Sequence, residues 1–324
     1  MLTDYHLHLR SDDPDASPAE HWTAANVERY RAVASERGIA ELGASEHVYR
    51  FVQALDVWRH PFWQRYAHDD LDDYCGFVRD HTDLRLGIEA DFVPGAEDRM
   101  ASLLQSRDFD YVVGSVHFLR EGAVDMDDYS VWNSDSARQR GAEEVWRRYF
   151  QAIGRAARSG LFDIAAHPDL VKYWEPAHPT HPTHPTRRAS ADSARTPPGD
   201  LRRYYEPAIE GIAESGIAVE VSTAGLRKPV GEMYPADAFL EMCVEADVPV
   251  ALSSDAHRPE DVGADYDRAL ETLERVGVRE LCVFERRARR LEPIGASAAD
   301  DAGTASGAAS AAGLAGGSDE ATAR

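Results

Sequence analysis

Short apolar runs rich in β-branched residues alternate along the chain with longer stretches of helical periodicity. The runs at 2–8, 39–44, 84–90, 109–116, 161–166, 217–222 and 248–253 read as strands, with a further one at 280–284. Segments 18–37, 64–80, 96–107, 136–159, 200–215, 235–246 and 259–276 can form helices between them. Strand–helix alternation on this scale predicts parallel βα units, and 324 residues suffice for one α/β barrel with insertions. Ser17, Pro18 and Glu20 form a helix start with a capping box, which leaves residues 9–16 as a βα loop. In barrels of this kind such loops build the site.

Two segments break the pattern. Residues 176–199 hold a His-Pro-Thr triplet repeated three times and then a Ser/Arg/Pro-rich stretch, which predicts a flexible insertion. Its His178, His181 and His184 have no surroundings that would orient them on a metal. Residues 294–324 are rich in Ala, Gly and Ser and are expected to be a disordered tail, leaving 1–293 as a single catalytic domain.

Charge narrows the function classes. The formal net charge of -22 opposes binding to nucleic acid or to anionic membranes, and Lys172 and Lys228 are the only lysines. Cys75, Cys243 and Cys282 lie far apart in apolar surroundings and read as free thiols. Without a membrane-length apolar run or a signal-peptide pattern at the N-terminus, a soluble cytoplasmic protein is expected.

Metal-type residues collect at one end of the predicted strands. Strict alternation on the first strand would put Asp4, His6 and His8 on one face, opposite Tyr5, Leu7 and Leu9. Glu46 and His47 follow the second strand, Glu89 and Asp91 end the third, His117 closes the fourth and His167 the fifth, and Asp255 and His257 close the seventh. Burying so many imidazoles and carboxylates without a cation would cost several kcal/mol each, by order of magnitude. A multinuclear site relieves that cost. Nitrogen and carboxylate donors without thiolate suit Zn, Mn or Fe, and Glu89 has two oxygens with which to bridge two ions.

The order HxH, loop His, Glu, His, His and terminal DxH resembles the polymerase-and-histidinol-phosphatase (PHP) family of metal-dependent phosphoesterases. "GIEADFVPG", "FDYVVGSVHFL", "AARSGLFDIAAHPDL", "STAGLRKPVGEMYP" and "SSDAHRPEDVG" resemble its histidinol-phosphatase branch, with the likeness running from about residue 1 to 284. The resemblance implies a distorted (βα)7 TIM-like barrel with two to three divalent ions in its mouth. It assigns His6, His8, Glu89 and Asp255 to a first ion, Glu89, His117 and His167 to a second, and His47 and His257 to a third. Relatives often carry a histidine where this chain has Pro14, so Asp13, or its neighbours Asp12 and Asp15, would complete the third site. Glu46 stands where relatives commonly have Asp.

The implied reaction is hydrolysis of L-histidinol phosphate in histidine biosynthesis, by a metal-bridging hydroxide held through Glu89 and Asp255. Arg227, Lys228, Arg258 and Arg50 are the cations expected at the substrate phosphate. The acidic, aromatic segment 49–74 can either fold over the mouth or form a buried aromatic cluster under a long loop. Other readings are a family phosphoesterase for a different small phosphomonoester or nucleotide, an amidohydrolase-type metal hydrolase, and a metal-binding scaffold without turnover. Amidohydrolases commonly bridge their metals with a carboxylated lysine, and neither Lys172 nor Lys228 falls at a matching strand end.

Overall fold

The computed structural model describes residues 1–174 and 195–295. Seven parallel strands make one sheet: β1 (Thr3–Leu7), β2 (Glu41–Ala44), β3 (Arg85–Asp91), β4 (Tyr111–Ser115), β5 (Ile164–Ala165), β6 (Ala218–Ser222) and β7 (Val250–Ser253), in sequence order. The sheet curls until β1 meets the end of β7: His8 N donates to Ala256 O at 2.8 Å and Ala256 N to His6 O at 3.2 Å. The expected distorted (βα)7 barrel is therefore present.

Helices α1 (Pro18–His21), α2 (Ala24–Glu36), α3 (Pro61–Tyr66), α4 (Leu71–His81), α5 (Glu97–Gln105), α6 (Asp135–Arg158), α7 (Arg202–Ser215), α8 (Asp237–Glu245) and α9 (Tyr266–Val276) connect the strands. Three expected helices divide or shorten, because local caps outcompete the long periodic pattern. The Thr23 hydroxyl accepts from Asn26 N and restarts a helix after α1, and Asp70 accepts from the amides of Asp72 and Asp73 to start α4. Residues 259–261 form one 3₁₀ turn ahead of α9.

The run at 280–284 is the first half of an antiparallel hairpin, β8 (Glu280–Glu285) and β9 (Ala288–Pro293). Cys282, Val283 and Phe284 pack with Tyr5, Tyr111, Val113 and Ile164 in a cluster at the lower end of the barrel. The Tyr111 ring lies 5.0 Å from that of Tyr5 and runs so close under β2 and β3 that only glycine fits at Gly43 and Gly87. Alternation on β1 is broken as well. Tyr5 joins this lower cluster, and the register with β2 shifts between Asp4 and Leu7. Asp4 turns away from the histidines and accepts from Ser254 N at 3.0 Å and Gly263 N at 3.2 Å.

Cys75, Cys243 and Cys282 are free, and no helix among the described residues is long and apolar enough to cross a membrane. Most of the expected insertion, including His178, His181 and His184, lies outside the described residues, as does the tail beyond Gly295. At the insertion's far end the Arg195 carbonyl accepts the Trp146 indole N–H at 2.8 Å, and its guanidinium lies 5.0 Å above the Trp174 ring.

Gly87→Ala would put a methyl carbon 2.2 Å from Tyr111 Cζ. We expect it to destabilise the barrel by about 1–3 kcal/mol, read as a fall of several degrees in the midpoint of thermal unfolding by circular dichroism.

Candidate metal centre

Six of the seven strands bring candidate ligands to the same end of the barrel, with Glu89 inside β3 and the others near or just past their strands' ends. His6 is the penultimate residue of β1 and His8 follows the strand; His47 opens a 3₁₀ turn after β2 and bridges to Glu89 on β3; His117 and His167 follow β4 and β5. Asp255 and His257 follow β7. His167 and Asp255 have φ of 23° and 49°, a region that non-glycine residues rarely occupy and that clusters at functional sites.

Glu89 lies at the centre and is 1% exposed. Its Oε1 faces His167 Nε2 at 3.2 Å and His117 Nε2 at 3.4 Å. Its Oε2 faces His6 Nε2 at 3.4 Å, His8 Nε2 at 3.7 Å and, closest, His47 Nδ1. Asp255 Oδ1 stands 3.5 Å from His8 Nε2 and 3.8 Å from His6 Nε2. His257 Nε2 lies 3.4 Å from His47 Nε2 and 3.4 Å from Asp12 Oδ1. Three groups have donor atoms close enough to share an ion: His6, His8 and Asp255; His6, Glu89 and His167; and His8, His47 and His257.

The donor chemistry fits metal ions. His6 Nε2, both nitrogens of His8 and Glu89 Oε2 are shut off from solvent without a hydrogen-bond partner among the described residues. Such groups are costly unless a cation or a proton meets them. Burial pushes the Glu89 carboxyl up, yet the rings of His47, His6 and His117 outweigh it and hold the group well below the usual range. Burial and the neighbouring rings of His47 and His257 keep His8 well below its ordinary value, hence neutral with a free lone pair.

An outer layer aims these ligands. His6 Nδ1 lies 2.7 Å from Glu220 Oε1, and Glu220 Oε2 accepts from His167 N at 2.6 Å. His117 Nδ1 lies 2.8 Å from Asp91 Oδ1. Glu46, buried behind His8, accepts from the amides of Leu9 and Arg10 at 2.8 and 3.0 Å and thereby shapes the loop after β1. Glu220 was not among the residues singled out from the sequence, although a lone acid inside the apolar strand "AVEVS" is the signal that finds it.

Other expected positions shift. Asp12, held by Arg50 Nη2 at 2.9 Å, is the loop acid beside His257; Asp13 instead accepts from Asp15 N at 3.0 Å and stays off the cluster. Among the four expected phosphate cations, Lys228 alone lines the cavity above the cluster. Arg227 turns back through its 3₁₀ turn to donate to Ser254 O at 2.5 Å, Arg50 pairs with Asp12, and Arg258 points to solvent beside Asp261. Lys228 has no ion-pair partner among the described residues. Lys172 is tied to Asp169 at 2.9 Å and to Met233 O at 2.8 Å, away from the ligands.

The cavity of about 210 Å³ is also lined by Tyr49, Phe62, Tyr66, Asp125, Tyr173 and Tyr234. Both readings of segment 49–74 therefore hold in part: Tyr49, Phe62 and Tyr66 pack on one another with ring centroids 4.6–5.7 Å apart, and that cluster is also one wall of the mouth.

Comparison with known proteins agrees with this geometry. A protein of Deinococcus radiodurans described as a probable histidinol-phosphatase is 29% identical over 299 residues, 90% of this chain and 99% of that one. The histidinol-phosphatase of Bacillus subtilis is 26% identical over 215 residues, 64% of this chain and 75% of that one. The crystal structure of a histidinol phosphate phosphatase from Lactococcus lactis subsp. lactis, complexed with zinc, L-histidinol and phosphate, covers 89% of this chain and 98% of that one with a TM-score of 0.63; at 17% identity this is a likeness of fold. The model of the PHP domain matches residues 6–224, and the chain belongs to that family.

Proposed function

We propose that this chain is a metal-dependent phosphatase that hydrolyses L-histidinol phosphate to L-histidinol and phosphate. The observation that carries the reading is Glu89, whose two oxygens face two separate sets of imidazoles at the foot of a cavity lined by Lys228, which has no ion-pair partner among the described residues. A relative described as a probable histidinol-phosphatase over 90% of this chain, and a fold neighbour holding zinc, L-histidinol and phosphate, support the substrate and the reaction class.

In this reading two to three divalent ions would be held by His6, His8, Glu89 and Asp255, by Glu89, His117 and His167, and by His47 and His257 with Asp12. When bound, such ions neutralise phosphate charge and bring a water's pKa toward neutrality. The chain's residues do the positioning. Glu220 and Asp91 hold the Nδ1 atoms of His6 and His117 so that each Nε2 faces inward. Lys228 meets the phosphate as a mobile point charge. Burial lowers its pKa, but the charges of Asp255, Asp12 and Asp125 and the Tyr173 hydroxyl outweigh that effect and keep it cationic. The wall of Tyr49, Phe62 and Tyr66 excludes water from the leaving group's side. Water oxygen bonds to phosphorus, the bond to the alcohol oxygen breaks, and the water's proton ends on the alcohol.

The direct test is phosphate release from L-histidinol phosphate, from a generic phosphomonoester, and from amide or lactone substrates, before and after chelation, with elemental analysis of the purified protein. Chelated protein should lose turnover, and vigorous release in metal-free protein would refute the reading. Glu89→Gln keeps the side-chain volume and should lower kcat by at least about 1000-fold, with unchanged circular dichroism. Lys228→Ala should lower kcat/KM about 10- to 100-fold, whereas Arg258→Ala should leave it within about threefold. Glu220→Gln should weaken metal affinity about 10- to 100-fold in a competition titration with a chromophoric chelator.

A further inference from the structure

We propose that Asp125 is a specificity-determining residue that receives the ammonium group of the substrate's alcohol portion. The inference rests on the reading of that substrate as an amino-alcohol phosphate.

Asp125 lines the same cavity as His117, His167 and Lys228 but belongs to no ligand group. Its Oδ1 is shut off from solvent without a hydrogen-bond partner, and no cationic side chain among the described residues lies within ion-pair distance. A buried carboxylate oxygen left in that state is costly, and a ligand that brings a cation to it recovers the cost.

The position is also preset. Asp125 follows the short hairpin formed by Phe118–Leu119 and Gly122–Ala123. Val124, one residue before it, is fully buried and donates its N–H to His117 O at 2.9 Å, and its carbonyl accepts two indole N–H groups, from Trp174 at 2.8 Å and Trp132 at 3.3 Å. Arg195 lies over both indoles, 5.0 Å from one ring and 5.8 Å from the other. The acceptor therefore has no need to reorganise when a cation arrives, which is the condition under which one polar contact discriminates strongly.

The cavity thus offers three chemistries to three parts of one molecule. Lys228 and the ligand cluster suit the phosphate, the rings of Tyr49, Phe62 and Tyr66 suit a flat heteroaromatic group, and Asp125 suits an aliphatic ammonium. A phosphomonoester lacking the ammonium leaves Asp125 Oδ1 shut off from solvent without a hydrogen-bond partner.

The test is isothermal titration of the metal-loaded full chain with L-histidinol and with its des-amino analogue, 3-(imidazol-4-yl)propan-1-ol. It is accompanied by kcat/KM on the two phosphate esters and by metal content. The wild type should prefer L-histidinol about 100-fold, and in Asp125→Asn that preference should fall to within about threefold with the metal content unchanged. A preference that survives in Asp125→Asn, as it would if both ligands weakened in parallel through a role in folding or proton donation, overturns the proposal. So does loss of metal from the variant, or a wild type that binds neither alcohol or both equally. Wild-type protein that shows the binding preference yet releases no phosphate from either ester would instead refute the phosphatase reading while leaving the ammonium site standing.

Discussion

A carboxylate with almost no exposure to water, wedged between five imidazoles, is the constraint around which this molecule is arranged. Glu89 cannot be solvated where it stands, so its charge must be met by what the barrel brings to it. Six of the seven strands place an imidazole or a carboxylate around it at the same end of the barrel. Two isolated bridges extend the pairing there: His47 to Glu89, and Leu7 to Ala256, which joins the two ends of the sheet.

Around that centre the buried acids divide their work by what they touch. Those facing ring Nδ1 atoms, Glu220 and Asp91, set which way the rings of His6 and His117 turn their Nε2 atoms. Those facing backbone amides, Asp4 and Glu46, hold the loop ends that carry the ligands. Asp4 and Glu46 are each raised to about 6, chiefly by burial, with hydrogen bonds, and for Glu46 also the Arg50 charge, pulling the other way. The residues of the βα loops are thus stiffened by the same charged chemistry that they serve.

The parts of this arrangement that the chain discloses by itself are those written in short-range pattern. HxH, IEAD and DAH place donors two apart at the end of an apolar run, and the strand period alone brings each set to one rim. Even here the pattern misleads by one residue, since the shift between Asp4 and Leu7 sends Asp4 to Ser254 and leaves Tyr5 among the barrel's lower rings. The choice of Asp12 over Asp13 depends on Arg50, which is 38 residues away. The choice of Lys228 over Arg227 depends on which way a single 3₁₀ turn winds toward Ser254. Asp125 carries no periodic signal at all: an indole 50 residues from Val124 fixes it, and only the folded chain puts the two together.

The hairpin and the packed rings of Tyr5, Tyr111 and Phe284 stopper the barrel from below. The imidazole cluster consequently stands at the foot of a cavity closed from below by these rings. A guest lodged above the imidazoles would therefore also cover whatever they hold.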